Sequence, residues 1–233
     1  MLIDPKKGYF RNLLEVHFFT LFVTLLVYLL TYPYLWGWRV GESIQTVLLM
    51  TILIAGVTSM RDKKRIFFIG VALGTPIFLL KVAHLFTPET KLLDLLGLIL
   101  IVPFFAYVTV TTLSRVLSGE EVTQDKLFGA AAVYLLMGLA WSSAYAVLEI
   151  ISPGNFIIPA SSNPVGVMAR VGPGSWPDFI YYSFTTLTTL GYGDITPITH
   201  RARSLAILEA ATGVLYVAFL VARLVSMYQN EKK

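Results

Sequence analysis

The 233-residue sequence has no cysteine, three histidines and little charge, with Asp, Glu, Lys and Arg making up only 14%. Without cysteine there is no disulfide, no thiolate nucleophile and no thiolate metal site. His17, His84 and His200 are too scattered to set out a metal-ligand spacing or a proton relay. No nucleotide-cradling loop and no nucleophile–base arrangement is present. A soluble domain carries about 25% charged residues, so a soluble fold, a disordered chain and a nucleic-acid module all fit poorly. The formal net charge is +4. The basic residues sit between apolar runs and not on one face, so the charge does not mark a polyanion site. What the chain has in abundance is apolar side chains, 56% of the total. That balance points to a polytopic membrane protein.

A bilayer core about 30 Å thick takes roughly 20 apolar residues per helix. Runs of this length predict spans at 12–31, 43–60, 66–86, 92–117, 127–151 and 202–228. Together they take up most of the sequence and leave no soluble domain within it. The first run is too long for a signal-peptide core and has no small-residue cleavage pattern behind it, so it reads as a retained span.

Six spans put both termini on one side. That side carries Lys6, Lys7, Arg11, Arg61, Lys63, Lys64, Arg65, Arg115, Lys126, Arg223, Lys232 and Lys233. The opposite side carries Arg39, Lys81, Lys91, Arg170, Arg201 and Arg203, half as many. The positive-inside bias predicts that both termini face the cytoplasm of a cell membrane.

Residues 152–201 break the pattern. Ser152-Pro153-Gly154-Asn155 and the run from Pro159 to Pro173 read as loop. Trp176-Pro177-Asp178 then opens a short apolar segment. Proline suits a first helical turn, because its missing N–H costs nothing there, and a carboxylate suits the positive end. A helix over 177–189 would be about 18 Å long, enough to enter a membrane and stop midway.

After it comes Thr188-Thr189-Leu190-Gly191-Tyr192-Gly193-Asp194. This string closely resembles the potassium-channel pore signature T-x-G-Y-G-D. The likeness extends from about Lys126 to Tyr228. The run from Ala202 to Val225 is similar, more loosely, to bacterial channels of the ion-channel-2 type with extra N-terminal spans. The physics of the motif stands beside the likeness. Rings of backbone carbonyls can replace the water of a bare potassium ion. Aiming successive carbonyls at one axis requires left-handed residues at alternate positions, and Gly191 and Gly193 take that conformation without steric cost. Thr189 adds a hydroxyl at the inner end, and Leu190 and Tyr192 point away from the axis. Irregular backbone at membrane depth is tolerated where it is buried or lines a wet cavity. The short helix would aim its negative end, about half a charge, at the pore centre.

The resemblance implies further roles. Thr189, Leu190, Gly191, Tyr192 and Gly193 supply the oxygens that bind K+. Tyr181 and Tyr182 fall where the family places aromatics behind the filter, and Asp194 falls at its outer aspartate. Thr185 stands where some members carry a glutamate, so that brace is absent. Gly213 matches a frequent inner-helix hinge, although close helix packing explains a membrane glycine equally well. In the last span Val214, Val217, Ala218, Val221 and Val225 share one stripe. An apolar ring at that stripe can gate by dewetting. Glu209 is the one acid deep in that span. It reads as a brace behind the pore helix, as a gating proton site, or as a satisfied acid with no regulatory role.

The fourth span has Asp94 near its start and Arg115 near its end, with no arginine ladder, so intrinsic voltage gating is expected to be weak or absent. Lys81, His84, Glu89, Lys91 and Asp94 read as interfacial snorkelling or as a sensing cluster. Trp36, Trp38 and the tyrosines at 28, 32 and 34 read as an aromatic belt. Ser114 to Lys126 reads as a solvated linker.

The expected fold is all-α integral membrane: six transmembrane helices with a re-entrant pore helix and selectivity filter between helices five and six. Residues 1–117 form a four-helix, non-voltage-sensing domain and 118–233 the pore domain. The expected function is passive, potassium-selective conduction through a homotetramer in lipid. The chain is expected to be no enzyme, with no cofactor beyond the permeant K+, no nucleic acid and no small-molecule substrate. The alternatives are a weakly selective cation channel, whose usual signature replaces the filter tyrosine, and a potassium transporter, which needs four filter motifs in one chain.

Overall fold

The computed structural model describes residues 17–35, 39–59, 64–86, 91–118, 123–158, 169–170 and 176–231. Seven helices stand among them: α1 (His17–Leu35), α2 (Arg39–Thr58), α3 (Lys64–Phe86), α4 (Lys91–Leu117), α5 (Gln124–Ile151), α6 (Trp176–Leu187) and α7 (His200–Glu231). Five of them, α1, α3, α4, α5 and α7, are long and apolar enough to cross a membrane. The apolar part of α2 is shorter, Ser43–Thr58, because Arg39 and Glu42 take up its first turn. The chain is a multi-pass membrane protein.

The helices are built for an apolar surrounding. Threonine hydroxyls fold back onto the preceding turn: Thr24 onto Thr20, Thr31 onto Val27, Thr51 onto Val47, Thr75 onto Val71 and Thr109 onto Phe105, at 2.7–3.0 Å. Each bond satisfies a group that would be costly to leave bare in lipid. Pro33, Pro76 and Pro103 lie within α1, α3 and α4, as membrane helices tolerate.

One core runs from α1 to α6. Leu21, Leu25 and Tyr28 of α1 meet Ile52 and Leu53 of α2, Phe104, Phe105 and Val108 of α4, Leu136 and Leu139 of α5 and Ile180 of α6. Residues before and after position 117 therefore pack against each other without a break. Tyr28 departs from the belt reading: it is buried in this core and lies 6.3 Å from the Trp176 ring. Tyr34 is 85% exposed. Trp36, Trp38, Glu89 and the side chains of His17, His84, Lys91 and Asp94 lie outside the described residues.

The linker reading of Asp125 also changes. Thr123 caps α5. Asp125, in the first turn, accepts bonds from Phe18 N and Phe19 N at 3.1 and 3.2 Å. One carboxylate thus serves the positive ends of two helices, α5 and α1.

The loop after α5 is more ordered than its composition foretells. β1 (Phe156–Ile158) pairs antiparallel with β2 (Ala169–Arg170) and with β3 (Thr196–Pro197), in the order β2-β1-β3. Glu149 at the end of α5 accepts from Gly154 N and Asn155 N at 2.6 and 2.8 Å. Asn155 in turn accepts from Ile198 N at 2.8 Å and from the Thr199 hydroxyl at 2.6 Å. This web ties the end of α5 to the start of α7.

Candidate functional site

α6 begins with Trp176-Pro177-Asp178 as expected, but ends at Leu187 and not at 189. Its final carbonyls turn onto the segment that follows. Thr189 N donates to Thr186 O at 2.9 Å, and Thr185 O accepts from Leu190 N and Gly191 N at 2.9 and 3.1 Å. The negative end of the helix thus holds the first residues of the motif. The Thr185 hydroxyl donates back to Tyr182 O at 2.9 Å.

The backbone conformation along the motif alternates. Thr189, Gly191 and Gly193 have φ of 59°, 53° and 79°. Thr189 is the sole non-glycine with positive φ among the described residues. A β-branched residue pays for that conformation, and such strain concentrates where function needs it. The glycines were legible as left-handed positions; the third, at Thr189, was not. A side-chain carbon added at Gly191 or Gly193 would meet nothing within 4 Å of the same chain. Leu190 and Tyr192 are 55% and 68% exposed. The whole strip from Thr188 to Asp194 is open on a single chain.

The two tyrosines part company. Tyr181 Oη donates to Asp194 Oδ2 at 2.6 Å. Tyr182 is buried edge-on between Tyr145 and Phe156, with ring centroids 5.0 and 5.2 Å away. It does not reach Asp194 but wedges α6 against α5.

Two glycines let α6 approach its neighbours. A Cβ at Gly138 of α5 would lie 2.5 Å from the Phe184 ring. A Cβ at Gly213 of α7 would lie 2.1 Å from Leu187 O, the carbonyl that ends α6. Tyr134 Oη reaches that carbonyl too, at 3.3 Å. Close packing thus accounts for Gly213, and α7 runs through it as continuous helix. Val214, Val217, Val221 and Val225 of the same helix are all about half exposed, with Ala218 exposed among them.

Glu209 is fully buried. Tyr145 Oη meets Glu209 Oε2 at 2.6 Å, and Ser183 Oγ meets Oε1. Ser183 also contacts Gly138 O at 2.7 Å. The sequence singled out the acid but not Ser183 or Tyr145, whose partners are 26 and 64 residues away.

A short helix packed against α5 and α7, followed by an exposed strip of alternating handedness, fits the class of ion channels. Comparison with known proteins narrows it. A family model described as "Ion channel" matches residues 133–230. Protein LctB of Bacillus caldotenax is 32% identical over 111 residues, 48% of this chain and 78% of that protein. Two-pore potassium channel 4 of Arabidopsis thaliana is 43% identical over 49 residues, 21% of this chain and 17% of its own length. The inward rectifier potassium channel Kirbac3.1 of Paramagnetospirillum magnetotacticum is 40% identical over 52 residues, 22% of this chain and 18% of its own. The chain belongs to the potassium channel pore family. It spans less than a fifth of the two named potassium channels. No solved structure matches it.

Proposed function

We propose that the chain is one subunit of a potassium-selective channel in which four copies surround a central axis. The observation that carries this reading is the left-handed backbone at Thr189, Gly191 and Gly193. With these residues alternating, the carbonyls of Thr189, Leu190, Gly191, Tyr192 and Gly193 can turn to one side as a column of K+ ligands. One chain supplies only one wall. A fourfold cyclic arrangement closes the ring and covers the strip and the α7 stripe that a single chain leaves open.

In this reading all six long helices, α2 included, cross the cell membrane, both termini are cytoplasmic and α6 is re-entrant. The Tyr181–Asp194 bond braces the outer end of the filter. Val217, Val221 and Val225 form an apolar gate that closes by losing its water, and Gly213 sets how closely the inner helix approaches the pore helix. Residues 118–233 form the pore, and residues 1–117 a scaffold without a voltage-sensing ladder. K+ is cargo, and no cofactor or small-molecule substrate takes part.

The test is flux from potassium-loaded liposomes holding the purified protein. The expected result is efflux carried by K+ and Rb+ and rejected for Na+. Comparable Na+ and K+ flux favours the weakly selective cation pore, in spite of the intact Tyr192. Saturable flux coupled to a second ion favours a transporter.

A further inference from the structure

Glu209 is an acid buried at a junction of three helices. Its carboxylate oxygens meet Tyr145 of α5 at 2.6 Å and Ser183 of α6. The Ser183 hydroxyl also lies 2.7 Å from Gly138 O. These make three oxygen–oxygen contacts at hydrogen-bonding distance, and each needs a hydrogen. The Tyr145 and Ser183 hydroxyls hold one each. A carboxylate adds none, whereas a carboxylic acid adds the third. Ser183 then donates to Gly138 O, Glu209 donates to Ser183, and Tyr145 donates to Glu209. The titratable groups facing the site are Tyr145 and Tyr134 of α5 and Tyr182 of α6. No cation among the described residues bonds to the acid. An unpaired charge enclosed here would be costly.

The site also lies at a lever. Ser183 is two residues before Thr185, whose carbonyl holds Leu190 and Gly191. Glu209 is one turn before Gly213, which abuts the end of α6.

We infer that Glu209 is a positioning residue that acts as an uncharged hydrogen-bonding clasp between the inner helix and the pore helix, and keeps the filter in register. This rests on the channel reading above. It assigns the acid neither to the ion path nor to cation attraction, for which a charge facing the pore would be needed.

The clasp predicts an ordering of variants, read as K+ over Na+ flux in liposomes relative to wild type. In Glu209→Gln the amide donates to Ser183 and its oxygen accepts from Tyr145, so selectivity stays within about twofold of wild type. Ser183→Ala and Glu209→Ala strip bonds and leave buried partners unpaired, so selectivity falls by about tenfold. Tyr145→Phe, which keeps the ring, falls between. At neutral pH the infrared difference between wild type and Glu209→Gln carries the carbonyl stretch of a protonated carboxyl. Loss of selectivity in Glu209→Gln equal to that in Glu209→Ala overturns the inference, as does a difference spectrum with carboxylate bands alone. The infrared reading holds where Glu209→Ala does not assemble. Absence of K+-selective flux in wild type counts against the channel reading and leaves the infrared arm to judge the clasp.

Discussion

Single residues carry the geometry of the motif from Thr188 to Asp194, and the sequence reveals them unevenly. Gly191 and Gly193 are legible, because glycine at alternate positions is the cheapest way to repeat a left-handed backbone. Thr189 takes the same conformation without that freedom, held by its bond to Thr186 O. No residue preference announces this; the capping carbonyls of α6 impose it. Tyr181 and Tyr182 are neighbours of identical chemistry, yet one turns to Asp194 and the other inward. Their helical position decides, and only packing reveals which face is which. Gly213 gives the clearest prediction at this scale. Gly213→Ala forces a methyl group to within 2.1 Å of a backbone carbonyl that no rotamer change can move aside. The expected cost is about 1–3 kcal/mol, seen as a lower melting temperature in detergent together with reduced K+ flux. Wild-type stability and flux would instead show that α7 has room to shift.

Among the elements, the long apolar helices are plain from run length, since the bilayer sets how many residues a span needs. α6 is legible from Pro177 and Asp178 at its start, but its end is not: the carbonyls that stop it at Leu187 bond to residues beyond the helix. The three short strands escape notice because two or three residues cannot show a period of two. The web around Glu149 and Asn155 is likewise invisible until α5 and α7 are brought together. Asp125 reads as one more charge in a linker, yet it caps a helix more than a hundred residues away. Replacing it with alanine should cost about 1 kcal/mol. Thermal unfolding should show that loss in Asp125→Ala and most of it regained in Asp125→Asn, which keeps an acceptor oxygen. Equal losses in both variants would indicate that charge, not the bond, matters.

For the whole molecule, class and family are legible from one string placed between two long apolar helices. The continuous core from α1 through α6 shows that the first four helices are packed onto α5 and α6 and not merely tethered to them. The sequence contained no sign of this union, because core contacts between helices depend on which faces meet. The assembly is where sequence and single chain both point outward. The strip from Thr188 to Asp194 and the valines of α7 are open in one copy, and the proposed fourfold assembly is what covers them. The measurement that tests this most directly is a structure of the purified assembly grown in rubidium, read by anomalous scattering. The account predicts a row of rubidium peaks on a fourfold axis, ringed by the main-chain oxygens of Thr189 to Gly193. Peaks elsewhere, or a motif turned away from any symmetry axis, would contradict it.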